Sequence, residues 1–333
     1  MICLGLESTA HTFGAGVAEG GKDTRFRILS DEKDVYKAPE GSGIHPREAS
    51  RHHSEFCASV VSRSLQSAGK SMKDVDFIAY SAGPGLGPCL RIGAVVARSL
   101  ASYFRKPLVP TNHAIGHIEL GRQLMDLNNP LVLLISGGHT AIAGKLDSGW
   151  RIFGETLDLT LGQLLDQLGR SFGLSSPAGP KIESLANDFR ASGKIPDLPY
   201  TIKGNDVSYS GLLSAAKDLY AQNGSKELIA FGVQEVAFSM LVEATERALA
   251  FTDRSELLVT GGVAANRKLS SMLQSMCDER GIKLGVIPRQ FAGDCGSQIA
   301  AAGMLFYENG HAVPPEEAFT RQSWRIDSVT LKN

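Results

Sequence analysis

Apolar residues recur along this chain in two rhythms. Short unbroken runs at residues 2–6, 13–18, 77–80, 131–135, 141–146 and 257–260, each bounded by turn residues, predict buried strands. Apolar positions three and four apart predict helices over residues 46–68, 91–104, 111–127, 161–172, 181–190, 226–250, 266–280 and 294–307. Pro46 stands in the first turn of the first helix, where its missing N–H leaves no bond unmade. Four strands run into turns of small residues: Glu7-Ser8-Thr9-Ala10-His11-Thr12, Ser81-Ala82-Gly83-Pro84-Gly85-Leu86-Gly87-Pro88, Ser136-Gly137-Gly138-His139-Thr140 and Gly261-Gly262-Val263-Ala264-Ala265-Asn266. The first and third turns join strand to strand and place His11-Thr12 and His139-Thr140 128 residues apart. The second and fourth join strand to helix. An order that repeats in this way predicts a duplicated α/β chain. Its domains are residues 1–128 and 129–333, the second enlarged by an insertion around 150–230, with the last helix and tail free to pack back on the first. The turn at 83–87 reads as structural, and the tail after Gly310, with Pro314-Pro315, as extended.

Composition narrows this picture. A length of 333 residues suits two domains of roughly 150. Glycine is in excess, 36 residues or about 11% against a usual ~7%, and seven of the 36 stand in the second, third and fourth of these turns. With 34 basic and 35 acidic side chains, bulk charge gives no reason to expect nucleic-acid binding. A local group, Lys22, Arg25, Arg27, Lys33, Lys37, Arg47 and Arg51, reads either as an RNA-facing arm or as a solvated loop. Five cysteines without a CxxC pair argue against a disulfide framework or a cysteine zinc site, and point to a reducing, cytoplasmic setting. No apolar run approaches the ~18 residues of a membrane span, so no membrane partner is expected.

The candidate chemistry starts with His113-Ala114-Ile115-Gly116-His117. Histidines four apart on a helix lie about 40° around and ~6 Å along the axis, so both imidazoles can reach one point. Two readings stand: a two-histidine metal clamp, or two histidines sharing a polar face. Ala114 stands where a zinc protease of the HExxH kind needs its glutamate base. Asp294, in a glycine turn at a helix start, is either an N-cap or a third ligand. His₂Asp ligation suits iron(II), zinc or manganese with open positions. The turns Ser136–Thr140 and 261–266 read as generic strand ends or as phosphate cradles, facing each other across an interdomain cleft. Asp166 is a solvated acid or a ribose acceptor, Gly179 a turn glycine or a place where a Cβ blocks a ligand, and Glu183 a first-turn acid.

These motifs, in order, carry a resemblance. The opening Leu4-Gly5-Leu6-Glu7-Ser8-Thr9-Ala10-His11-Thr12, then Ile44-His45-Pro46-Arg47-Glu48-Ala49 with His52-His53, is followed by Gly83-Pro84-Gly85-Leu86-Gly87-Pro88 and Asn112-His113 to His117-Ile118-Glu119. Ser136-Gly137-Gly138-His139-Thr140, Gly179-Pro180-Lys181-Ile182-Glu183, the turn at 261–266 and Gly293-Asp294 complete the series. Together they resemble the archaeal/eukaryotic-type tRNA N6-adenosine threonylcarbamoyltransferases, formerly called O-sialoglycoprotein endopeptidases, over nearly the whole chain. The resemblance implies the duplicated actin/hexokinase/heat-shock-chaperone ATPase-like fold, two domains around a nucleotide cleft. It implies transfer of threonylcarbamoyl from threonylcarbamoyl-AMP to N6 of an adenosine next to the anticodon, in tRNAs reading codons that begin with A.

For the residues, the resemblance implies His113, His117 and Asp294 as ligands of one Fe²⁺ or Zn²⁺, with Mg²⁺ the further option. It implies ATP, AMP or the adenylate against Leu134, Ile135, Ser136, Gly137, Gly138, Asp166, Gly179, Glu183 and Asn266. Many archaeal members carry a tyrosine, a fourth metal ligand, where this chain has Leu134, so three protein ligands are implied here. His139 replaces a common archaeal asparagine, and Ser176 and Ala178 depart from the usual Tyr-Pro-Gly-Gly. Glu7 is the candidate general base. The implied partners are tRNA, a small kinase-like ATPase subunit that is fused in some members, a small dimerising subunit and a further accessory subunit. Competing readings are an ATP-dependent small-molecule kinase or ATPase of the same fold, a metalloprotease, which Ala114 disfavours, and a non-catalytic subunit of a complex.

Overall fold

The computed structural model describes residues 1–22, 24–39, 42–146, 149–189 and 196–331. In the first half, β1 (Ile2–Glu7) pairs antiparallel with β2 (Thr12–Gly21), and β2 with β3 (Thr24–Val35). After α1 (Pro46–Ser67), β4 (Phe77–Gly83) lies parallel to β1; after α2 (Gly87–Phe104), β5 (Leu108–Asn112) lies parallel to β4. The sheet order is β3-β2-β1-β4-β5, and α3 (His113–Leu124) leaves its edge.

The second half repeats this winding. β6 (Leu131–Ile135), β7 (Thr140–Leu146) and β8 (Gly149–Glu155) form an antiparallel meander. Then come α4 (Leu161–Ser171), α5 (Gly179–Asp188), the short pair β9 (Ile202–Lys203) and β10 (Asp206–Val207), α6 (Ser210–Ala221) and α7 (Lys226–Thr252). β11 (Glu256–Thr260), α8 (Arg267–Arg280) and β12 (Lys283–Val286) follow, then α9 (Arg289–Ala292) and α10 (Gly296–Glu308). The order β12-β11-β6-β7-β8, read backwards, is the order of the first sheet. The extra helices α4–α7 occupy the connection that α1 alone makes in the first half. The expected helix end at Arg190 lies outside the described residues, and α5 ends at Asp188.

Strand alternation divides the core into layers. Leu4, Leu6, Ile78 and Tyr80 pack under α1 and α2, while Leu133, Ile135, Val259 and Leu257 pack under the second domain's helices. The intervening residues Phe77, Ala79, Val132, Leu134 and Leu258 meet in a middle layer with Ile115 and Ile118 of α3 and Ile299 and Phe306 of α10. Helices α3 and α10 are therefore sandwiched between the two sheets. α10 approaches β1 and β2 so closely that a Cβ on Gly296 would stand 2.0 Å from the Gly16 nitrogen. α7 is long and apolar enough to cross a bilayer by composition alone, but Ile229, Val233, Ala237, Phe238, Leu241 and Ala244 are buried in the second core.

Three expectations need correction. The helix expected from 111 begins at His113, because Asn112 ends β5 and its side-chain oxygen accepts from the amides of Ala114 and Ile115 at 2.9 and 3.2 Å. The strands β3, β5, β8 and β12 were not legible in the apolar runs. The tail is more than extended: Val313 bridges Leu108, the amide of Arg321 donates to Ala82 O at 2.6 Å, and Ile326 and Val329 join the middle layer. It packs against the Gly83 turn, where a Cβ would meet Arg321 O at 1.8 Å, so that turn is structural as expected.

Candidate active site

The first turns of α3 place His113 and His117 on one face, with ring centroids 4.8 Å apart. Their Nε2 atoms approach one oxygen of Asp294, Oδ1, at 3.7 and 3.4 Å, and one donor atom from each of the three lies within 4.8 Å of the others. Asp294 does not cap α10: Cys295 is the N-cap residue, and the amide of Ser297 donates instead to Asp31 at 2.8 Å. Both ring nitrogens of His117 are buried without a hydrogen-bond partner. One ion can take only one of the two, and Nε2 of His117 is the one that converges with Nε2 of His113 on Asp294 Oδ1; that donor set is one a divalent ion would satisfy, so the residues fit the metal that the motifs imply. Leu134, fully buried in the middle layer with Ile115, offers no fourth ligand atom.

His113 is held from behind. Its Nδ1 lies 2.9 Å from Glu7 Oε2, 3.1 Å from Gln298 Nε2 and 3.3 Å from Thr9 Oγ1. The other Glu7 oxygen accepts from the Thr9 amide at 2.6 Å and the Thr9 hydroxyl at 2.5 Å. Glu7 is thus fully buried with both oxygens engaged, in the position of a carboxylate that orients a metal-ligating histidine rather than a base open to substrate. Burial opposes charge on His113, but the field and hydrogen bond of Glu7, with Asp294, raise its pKa to about 9. Burial lowers the pKa of His117. Burial works against ionised Asp294 too, yet the His117 contact and the His113 charge hold it well below the usual carboxylate range. His139 stands 6.5 Å from His113, ring to ring, and burial with its two histidine neighbours takes it down to about 3.

The two glycine turns do not face each other across the cleft. β6 and β11 are neighbouring parallel strands, Leu134 opposite Thr260, so their turns lie side by side at one end of the second sheet. A Cβ on Gly261 would meet Ile135 O at 2.4 Å. The Ser136–Thr140 turn and its duplicate, Glu7–Thr12, both reach His113 of α3, one through the His139 ring and the other through the Glu7 carboxylate. Leu134 and Ile135 are fully buried, main chain included, so the structure does not bear out the expected contact of these two residues with a nucleotide. Ser136 Oγ accepts from the amides of Gly138 at 3.2 Å and His139 at 3.0 Å, and the Ser136 amide donates to His139 O at 2.8 Å. At Gly137, Gly138, Gly262 and Gly293 a Cβ would meet nothing within 4 Å, and none has a φ in the left-handed region. Neither packing nor backbone demands glycine at these four strand-end and turn positions, which suits a surface kept clear for a ligand.

The remaining expected contacts are arranged differently. Asp166 accepts from Ser176 Oγ at 2.5 Å and the Ala178 amide at 2.7 Å, holding the 175–179 turn. Gly179 has only Leu165 near its Cβ position, at 3.8 Å. Glu183 accepts from the Arg267 amide at 2.8 Å at the start of α8. Asn266, nearly buried, caps α8 through the Leu269 amide and donates to Gln234 at 2.8 Å. Asp166, Glu183 and Asn266 are therefore tied into the walls of the cleft. Thr9, Gln298 and Asp31 were missed as site residues, and Lys33 was singled out only within the basic group; polar residues closing an apolar strand were the available signal for Thr9, and no sequence signal marks Gln298 or Asp31.

Residues 27–301 match the family described as TsaD, tRNA N6-adenosine threonylcarbamoyltransferase. The chain is similar to the tRNA N6-adenosine threonylcarbamoyltransferase of Methanopyrus kandleri, 46% identical over 340 residues, covering 99% of this chain and 96% of that one. Among solved structures it is similar to T. kodakarensis HypF, with a TM-score of 0.64 at 12% identity over 96% of this chain and 49% of that chain. It is also similar to the activator of the 2-hydroxyisocaproyl-CoA dehydratase from Clostridium difficile with bound ADPNP, with a TM-score of 0.51 at 12% identity over 96% of each chain. At that identity the structural likeness speaks for the fold alone, and the fold is the actin/hexokinase/heat-shock-chaperone ATPase-like one.

Proposed function

Since the chain belongs to the tRNA N6-adenosine threonylcarbamoyltransferase family, we propose that its donor is threonylcarbamoyl-AMP and its acceptor the N6 amine of an adenosine beside the anticodon, in tRNAs reading codons that begin with A. The observation that carries the reading is the convergence of His113, His117 and Asp294 beside the open glycine turns. The adenine N6 lone pair is delocalised into the ring, so the acyl partner must arrive activated. In a mixed anhydride with AMP, N6 attacks the carbamoyl carbon, the C–O bond to phosphate breaks, AMP leaves with the electron pair, and N6 gives up one proton.

His113, His117 and Asp294 are the residues that would hold a divalent iron or zinc ion. When bound, such an ion supplies positive charge against the adenylate phosphate. Glu7 and Thr9 keep His113 in one orientation, and the turns at Ser136–Thr140 and 261–266 leave room for the nucleotide at the strand ends. Partner subunits, including a kinase-like ATPase, a small dimerising subunit and an accessory subunit, belong to this reading, as does a cytoplasmic location.

The test is incubation of the chain with unmodified tRNA, threonylcarbamoyl-AMP and candidate partners, followed by mass spectrometry of the nucleosides. Threonylcarbamoyladenosine at one position supports the reading. Phosphorylation of a small molecule from magnesium ATP, undiminished in His113→Ala and with no modified nucleoside, would replace it with a kinase.

A further inference from the structure

The seven cations between Lys22 and Arg51 separate in the structure. Lys22 and Arg25 lie at the β2–β3 hairpin end, beside the C-terminal end of α10, where Gly21 approaches Glu308. β3 runs twelve residues from there to the site. Arg27 is paired with Glu19 at 2.7 Å, and Arg51 stands 4.0 Å from Glu48. Lys33, Lys37 and Arg47 are exposed; among the described residues Lys37 and Arg47 form no ion pair, and the charge of Lys33 acts on Asp31. Lys33 Nζ reaches the carbonyl oxygen of Asp294 at 3.5 Å, so this end of β3 borders the candidate metal ligands.

Alternation along β3 explains the sorting. Glu32 and Asp34 turn toward α1, where they take Ser67 Oγ and His52 Nε2, both at 2.9 Å. Asp31 and Lys33 turn toward the start of α10, and there Asp31 is occupied by the Ser297 amide. Asp31, Glu32 and Asp34 of β3 are thus engaged inward, while Lys37 and Arg47 form no ion pair among the described residues and Glu48 stands exposed beside Arg51. Val35 and Ile44 are exposed among those cations, at 37% and 38%. A Cβ at Gly43 would stand 3.5 Å from the Arg170 guanidinium on α4, so the second domain comes to the same edge.

We propose that Lys33, Lys37 and Arg47 form a lip that holds the sugar–phosphate backbone of the single-stranded RNA loop presenting the target adenosine, with Lys22 and Arg25 outside the footprint. The proposal rests on tRNA being the acceptor. Phosphate contacts fix register without reading sequence, and a single-stranded loop can splay a base outward while its backbone stays on the rim. A chain of net charge −1 needs a local patch of this kind to hold a polyanion.

The test is equilibrium binding of unmodified tRNA to the full chain over a salt series from about 50 mM, with the double variant Lys37→Ala/Arg47→Ala. Lys33 is left in place because it touches Asp294. Losing two contacts to single-stranded backbone should lower the slope of log K against log salt by about 1.4. AMP binding and melting temperature should not move, and Lys22→Ala/Arg25→Ala should bind as the unaltered chain does. An unchanged slope in the lip variant, an equal loss in the hairpin variant, or loss of an acidic protein partner with tRNA binding intact would overturn the lip. Nucleoside analysis of the same samples separates this from the parent reading: if the unaltered chain binds tRNA but never modifies it, the transfer reading fails, and the slopes still decide the lip.

Discussion

Glu7 Oε2 and His113 Nδ1 stand 2.9 Å apart, joining the end of β1, the central strand of the first sheet, to the helix that bears the histidine pair. The contact crosses from sheet to middle layer and, with the Thr9 hydroxyl beside it and Lys33 on the Asp294 carbonyl, ties the candidate metal site to the first sheet. Glu7→Gln keeps the shape and removes the charge. We expect metal affinity to fall about 10- to 100-fold, the usual cost of losing such a supporting partner, with little change in fold. Titration with zinc or cobalt measures it. Unchanged affinity together with lost transfer would return Glu7 to the role of base.

Protons should compete with the metal at His113. Its pKa of about 9 lies above the ~6.5 of an unfolded histidine, so the stability it lends the metal-free protein is full below ~6.5 and is lost as pH rises through about 9. Metal affinity should therefore climb about tenfold per pH unit below about 9 and then level off, with about one proton released per ion at neutral pH. Calorimetry in two buffers of different ionisation heat measures the release, and a pH-independent affinity across this range would contradict the assignment.

The glycines divide by what surrounds them. Gly137→Ala adds a methyl where nothing lies within 4 Å, so melting should be unchanged while AMP binding weakens. Gly296→Ala adds one 2.0 Å from the Gly16 nitrogen and should cost about 3 kcal/mol or more, since β2 and α10 must separate. Thermal melts and nucleotide titrations on the two variants separate these roles. Similar melting losses in both would mean that the Gly137 surface is not kept clear for a ligand.

The i, i+4 histidines and the repeated turns were legible in the sequence because each is a local pattern: helix geometry brings His113 and His117 together, and His11-Thr12 recurs as His139-Thr140. Other features depend on partners far along the chain. β3, with charged residues on both of its faces, is an edge strand with no clean apolar alternation, and β5 contains Pro110, tolerable because β5 closes the sheet. The neighbouring placement of the 136–140 and 261–266 turns follows from the pairing of β6 with β11, which no local pattern states. Likewise the two readings of Asp294 were separated only when Cys295 proved to be the N-cap residue and Asp31 took the Ser297 amide.

The most direct test of the central claim, that the cleft of His113, His117 and Asp294 carries out the transfer, is nucleoside mass spectrometry with His113→Ala. Wild-type and variant are incubated with unmodified tRNA, threonylcarbamoyl-AMP and the same partners, after melting curves confirm that both are folded. The proposed reading predicts threonylcarbamoyladenosine from the metal-loaded wild type and none from the variant. Wild-type yield from a folded, metal-free His113→Ala protein would contradict the account.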